Sequence, residues 1–351
     1  MEANQNSRLD PEQVSTSYVS LRSYLIAESE KQYAAEDSCR HKSSWREHRP
    51  KTADKYLLKK LGIDHAHLND WAAEELAAYR EYYASEVEPQ LTERHPITSV
   101  PAPVESEMLD PQTRLPILYA ILSVASDKDL LSEAPPGADI HNPWYEQQTN
   151  PSKCSDLFIE RWGEGHGMYD ATLLPEYHHY ARQDLYWIYF YVPKSDQSVI
   201  PWSCSNRVWL HGAIHCWADD SWYNYLYAGI EVSHSFFLVP SFIWPTNPSP
   251  AGTYTERMVL KYGGENIDKG GWGGWISELG PISPKPQFST EPHWLVVHVT
   301  GKCFWSGNSH CLLNFSKGYS STGSGASLHY DKYGIYCWNC MVYEPWVLPK
   351  W

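Results

Sequence analysis

The sequence predicts an α+β protein, with a helical N-terminal region followed by an aromatic-rich antiparallel β domain of sandwich or barrel-like form. Three observations carry that prediction. Apolar residues recur at helical spacing up to Pro89, the prolines Pro96, Pro101, Pro103 and Pro111 then interrupt the chain, and from about residue 155 the texture changes. There, short runs rich in Trp, Tyr, Val and Ile alternate with turn clusters, the pattern of a two-sheet β body.

The helical signals come first in the chain. Asp10 and Pro11 form an N-cap with a first-turn proline, and Val14, Tyr18, Leu21 and Leu25 follow on one helical face. A second helix is expected from Thr52 to Gly62, and a third, capped by Asp64, carries Leu68, Trp71, Leu76, Tyr79 and Tyr83. The acidic residues Asp70, Glu74, Glu75 and Glu81 on that third helix argue against a DNA-reading helix-turn-helix and for a plain helical hairpin. The expected organisation is therefore a helical region over 1–95, a Pro-rich linker over 96–112, and a β domain over 113–351 that opens on a helix at 113–126.

Strands are expected near 184–193, 207–218, 222–234, 236–243, 254–261, 292–305, 309–316 and 333–346. Two hairpins are read from the turns. Asp219-Asp220 should pair 209–218 with 222–233, and Ser306-Gly307-Asn308 should pair 293–305 with 309–316, which sets Cys303 opposite Cys311.

Composition narrows the function classes. A net charge of −14 excludes general binding to nucleic acid or anionic membranes. The basic run from Arg40 to Lys60 is read as a solvated face. No run approaches the ~20 apolar residues of a transmembrane helix. The N-terminal residues lack a basic start and an apolar core, so the expected setting is cytoplasmic, or exported without a classical signal peptide. The 17 Trp and 25 Tyr far outnumber the 8 Phe, favouring rings that bury one edge and offer a polar one to water or ligand.

Strand alternation in 207–218 sets Trp209, His211, Ala213, His215 and Trp217 on one face, with Val208, Leu210, Ile214 and Cys216 on the other. The first set suits a cleft for a glycan or other ring-rich small molecule, and the alternative is a packed layer of hydrogen-bonded rings. His211 and His215 lie ~13 Å apart on a strand, too far to share one metal ion. The glycine-rich segment 270–275 reads as a mobile flap bearing Trp272 and Trp275.

Glu164, His166, Asp170, Glu176, His178 and His179 crowd a Gly-punctuated stretch before the first strand. Together with His211 they are the acid/base candidates for a cofactor-free or metal-assisted enzyme of hydrolase, lyase or cyclase type. Cys337-Trp-Asn-Cys340 is a C-x-x-C that, joined by Cys303 and Cys311, would make a four-thiolate metal site; ordinary buried thiols are the alternative. A metal ion is the cofactor these residues admit. No hydrolase elbow, zinc-protease motif, phosphate loop or dinucleotide fingerprint occurs in the chain. A toxin-like or partner-binding protein is the third class, and the sequence leaves oligomeric state open.

Overall fold

The computed structural model describes residues 11–47, 58–92, 116–126, 154–163, 179–193, 202–218, 227–241, 254–264, 266–316 and 334–343. Its body is a pair of antiparallel sheets, with helices against their outer faces. Helix α1 spans Pro11–Glu47, α2 His65–Tyr82, and after a π-helical turn (Tyr83–Val87) α3 spans Glu88–Thr92. The strands are β1 (Ile117–Ala125), β2 (Cys154–Ser155), β3 (Leu157–Trp162), β4 (His179–Tyr191), β5 (Ser203–Ala218) and β6 (Tyr227–Pro240). They continue with β7 (Tyr254–Gly264), β8 (Ile267–Ile282), β9 (His293–Ser306), β10 (Ser309–Phe315) and β11 (Gly334–Tyr343).

The first sheet runs β1-β4-β9-β6-β7. In the second, β11 and β10 lie end to end along one edge of β5, β8 takes the other edge, and β2 and β3 complete it. Between the sheets sits one apolar core. It takes alternate residues of each strand, among them Leu185, Trp187, Tyr189, Val297 and Val299 from one sheet and Val208, Leu210, Ile214 and Leu313 from the other. Alternation exists because successive strand side chains point to opposite faces, so one face of each sheet is free for other uses.

Those outer faces carry the helices. Leu21 and Leu25 of α1 bury against Ile188, Phe190, Trp294 and Val296, with Val14 and Tyr18 packed beside them, as the helical spacing of these residues requires. Tyr83, Leu91, Tyr79 and Val87 from the α2–α3 segment cover Ala213, Leu312, Phe158 and Trp162 of the second sheet. Asp64 stands at the N-cap position in extended conformation before His65, without a capping hydrogen bond from its side chain. Among the described residues no helix is long and apolar enough to cross a membrane.

Four sequence expectations are corrected here. The helix expected at 113–126 is strand β1, paired with β4 over Ile117–Ala125; its β-branched and apolar run satisfies an edge strand as well as a helix. The Gly-rich flap is the middle of β8, laddered to β5 from Ile267 to Ile282. Strands β5 and β6 do not pair as a hairpin, because they belong to different sheets. The same holds for β9 and β10. The turn at Gly307, with φ of 58°, carries the chain from one sheet to the other, so Cys311 pairs with Cys216 and Arg161 while Cys303 pairs with Ala181 and Ile230. Both thiols still face the same core. The expected linker at 96–112 and most of the second helix lie outside the described residues.

Candidate functional site

On the β5 face singled out by alternation, the side chains do share one side of the sheet, but it is a covered side. Trp209, His211, His215 and Trp217 are exposed by 7% or less, which corrects the expectation of an open cleft. Their burial comes from the α2–α3 segment and neighbouring strands. Tyr79 stacks on Trp217 with centroids 3.7 Å apart, and Trp209 lies between His211 and Tyr336, each 5.3 Å away. Glycines of β8 make room for these rings: a Cβ on Gly270 would stand 2.4 Å from the His215 ring, and one on Gly274 2.8 Å from the Trp209 indole nitrogen. That is the physical reason for glycine in a strand interior here. Trp272 is 39% exposed on the outer row of β8, while Trp275 turns inward against Phe315.

Within this layer a polar line runs from strand to strand. Asp268 Oδ1 lies 3.3 Å from His215 Nε2, His215 Nδ1 lies 3.2 Å from His310 Nδ1, and His310 Nε2 lies 3.1 Å from Glu160 Oε1. Tyr79 donates its hydroxyl to Asp268 at 3.1 Å. Burial lowers the pKa of both imidazoles, that of His215 to about 4, with His310 adding to the effect. Glu160 is held below the usual carboxylate range by the His310 hydrogen bond, against the opposing effect of burial.

A second constellation stands on the outer face of the other sheet, where alternation along β4, β9 and β6 brings polar residues together beside α1. Ser235 Oγ lies 3.1 Å from His298 Nδ1, and His298 Nε2 lies 2.7 Å from Asp184 Oδ1. Register explains the alignment. Ser235 is the ladder partner of His298, and Asp184 is the partner of Thr300, two residues farther along the same strand as His298. Asp184 also accepts from Thr300 Oγ1 at 2.7 Å and from Arg182 Nε and Nη2 at 2.7 and 3.0 Å. Burial alone would raise its pKa; the His298 hydrogen bond and the Arg182 charge outweigh that and hold the carboxyl well below the usual range. Glu36 of α1 anchors this edge by pairing with Arg182, Lys302 and the Tyr180 hydroxyl.

Rings frame the same spot. Tyr186 stacks on His298 with centroids 4.2 Å apart, and the Tyr254 hydroxyl reaches Ser235 while hydrogen-bonding Glu256 at 2.6 Å. Ser235 is buried, His298 is partly exposed, and Tyr254 is 52% exposed. Burial, then Glu256, holds the Tyr254 phenol above its ordinary pKa, so it remains an O–H donor.

Of the acid/base candidates read from sequence, Glu164, His166, Asp170, Glu176 and His178 lie outside the described residues. His179 opens β4 and stacks on Trp305, and His211 belongs to the covered face. Ser235, His298 and Asp184 were not singled out from sequence. Alternation in 292–305 does place His298 and Thr300 on one face, but only the register of β6, β9 and β4 shows what they meet.

The four candidate metal-binding cysteines do not converge. Cys337 stands beside Val208 and Cys311 beside Cys216, eight residues apart on β5 (216 − 208), about 26 Å at strand rise. Cys337 accepts from Asn206 and Tyr189, and Cys311 reaches the Phe304 carbonyl at 2.9 Å. Among the described residues no three His, Cys, Asp or Glu side chains gather around one point.

Fold and sites together define an α+β protein whose β-sandwich carries polar constellations on both outer faces. No protein-family model, no curated protein and no solved structure matches the sequence.

Proposed function

We propose that the protein is a cofactor-free hydrolase of the serine type, with Ser235 as nucleophile, His298 as general base and Asp184 as the group that orients it. The observation that carries this reading is the unbroken contact line Ser235–His298–Asp184. Nucleophile, base and orienting carboxylate within hydrogen-bond reach are what activation of a serine hydroxyl needs. Asp184 accepts the His298 Nε2 proton, which leaves Nδ1 as a lone pair facing Ser235. Because Arg182 and Thr300 also stabilise Asp184, the carboxylate keeps its charge as the imidazole becomes cationic.

In the reaction Ser235 Oγ adds to an acyl carbon as its proton passes to His298 Nδ1. That proton then leaves with the departing alcohol or amine, and water, deprotonated by the same nitrogen, releases the acid and restores Ser235. Ser235 lies inside the sheet, with ladder partners His298 and Glu256 on its two sides, and we assign the oxyanion donor to a side chain. Tyr254, whose hydroxyl reaches Ser235, is the residue we assign to it. Tyr254, half exposed beside Ser235, favours a substrate with a flat ring next to the scissile ester.

The test is labelling of the full chain with a fluorophosphonate probe, read by intact mass. One adduct mapping to Ser235, lost in Ser235→Ala and reduced at least tenfold in His298→Gln, is the expected result. A folded protein that takes no label, or labels elsewhere, overturns the reading.

A further inference from the structure

The polar line under α2, on the sheet opposite the serine site, has a consequence in hydrogen counting. A neutral imidazole carries one N–H. His310 Nε2 lies 3.1 Å from the Glu160 carboxylate, and His215 Nε2 lies 3.3 Å from the Asp268 carboxylate and 3.5 Å from the Tyr79 hydroxyl, so we assign the hydrogen of each ring to Nε2. Both Nδ1 atoms are then bare lone pairs, and they meet 3.2 Å apart in a buried place. Two acceptors at that separation repel unless a cation lies between them.

The surroundings match a metal ligand shell. A ligating histidine ordinarily gives its second ring N–H to a carboxylate, which fixes the tautomer and sharpens the donor nitrogen. Here each ring has a carboxylate behind its Nε2, at 3.1 Å for His310 and 3.3 Å for His215. At zinc–nitrogen bonds of about 2.0–2.1 Å, nitrogens 3.2 Å apart subtend roughly 100° at the ion, within the tetrahedral range. The two carboxylates also balance a divalent charge, whereas a single shared proton would leave one negative charge over. Each ring is held in place by its packing. Trp162 stacks on His310 at 3.9 Å, Tyr83 meets His310 edge-on at 4.4 Å, and Gly270 leaves the space in which His215 lies.

We propose that His215 and His310 bind one zinc ion through their Nδ1 atoms, with Asp268 and Glu160 as the carboxylates behind them and water or a ligand group in the remaining positions. Two protein nitrogens make this an open site, of the kind that exchanges its ion with chelators, and one that ties β5, β10, β3 and β8 together beneath α2. It is a different place from the cysteine set and from the serine site.

Zinc chloride titrated into the chelator-treated full-length protein, followed by calorimetry and elemental analysis, tests the site. One zinc per chain is expected, lost in His215→Gln and in His310→Gln and retained in His211→Gln. Asp268→Asn or Glu160→Gln is expected to weaken binding about tenfold to a hundredfold. Cobalt substitution of the unaltered protein gives a second readout that no folding defect can disturb. A visible spectrum of nitrogen and oxygen ligation is expected, and a thiolate-to-cobalt charge-transfer band would move the metal to the cysteines and overturn the assignment. So would the absence of stoichiometric zinc, which leaves a proton alone between the rings, or zinc retained by the His215→Gln/His310→Gln double variant.

Discussion

Tyr79 of α2 lies flat on Trp217 of β5, with ring planes within 6° of each other, and its hydroxyl continues to Asp268 on β8. One side chain thus joins the helical segment to two neighbouring strands. Removing the indole beneath it opens a hole under the helix, so Trp217→Ala is expected to cost about 3–5 kcal/mol in urea unfolding. In a double-mutant cycle with Tyr79→Ala, a coupling of about 0.5–1.5 kcal/mol is expected for the stacked pair. A loss of only a few tenths for Trp217→Ala would mean that the face is open rather than covered.

The Arg182–Asp184 pair is buried on both sides, and its charges are shared with Glu36, His298 and Thr300. Asp184→Ala takes the nearer carboxylate from a buried guanidinium that Glu36 reaches only at 3.4 Å, and a loss of about 3–5 kcal/mol is expected. Removing both charges, as in Asp184→Asn with Arg182→Met, should cost less than the single truncation. Chemical denaturation of the two variants beside the unaltered protein checks the order.

Two buried histidines that take no part in the proposed chemistry set an acid limit. Burial lowers His234 to about 3, with the charge of His298 adding to it, and lowers His293 to about 4 despite a hydrogen bond to the Glu291 carbonyl. Each titrates near 6.5 when unfolded. Between those values the unfolded chain holds protons that the folded chain does not, so stability falls as pH falls. The contribution is full above about pH 6.5 and is lost progressively toward pH 4 for His293 and pH 3 for His234, with a slope of up to about 1.4 kcal/mol per pH unit for each group. Replacing His293 by Gln should flatten the pH dependence of the denaturation midpoint between pH 6.5 and 4.

At the crossing between sheets, Gly163 donates its N–H to the Ser309 carbonyl at 2.7 Å, and a Cβ there would stand 1.6 Å from the Gly307 carbonyl oxygen. Backbone against backbone cannot yield cheaply. Gly163→Ala is expected to cost about 3 kcal/mol or more, whereas Gly271→Ala, with open space around its Cβ, should stay within about 1 kcal/mol. Comparable melting temperatures for the two variants would refute the close approach.

Local pattern determined a good part of this protein by itself. The 3.6-residue spacing of Val14, Tyr18, Leu21 and Leu25 required an amphipathic helix, and those residues do face a sheet; Asp64 likewise marks the start of the next described long helix. Period-two alternation in 207–218 sorted Val208, Leu210, Ile214 and Cys216 into the core and the Trp/His row onto the other side. Both signals are written in consecutive residues, so they survive without any knowledge of what packs where.

Tertiary structure decided everything that depends on partners. A two- or three-residue turn is compatible with a hairpin or with a step between sheets, and nothing near Gly307 or Asp219 distinguishes the two; the choice followed from which strands could share the core. The same choice put α2 over Trp217, because a ring-rich outer face offers more buried area to a helix than to water. It also aligned Ser235 with His298 and Asp184, and His215 with His310, pairs separated by 51 to 114 positions in the chain. Strand register is a long-range property, set by the summed burial of two whole sheets, and the chemistry proposed for this protein rests on that register.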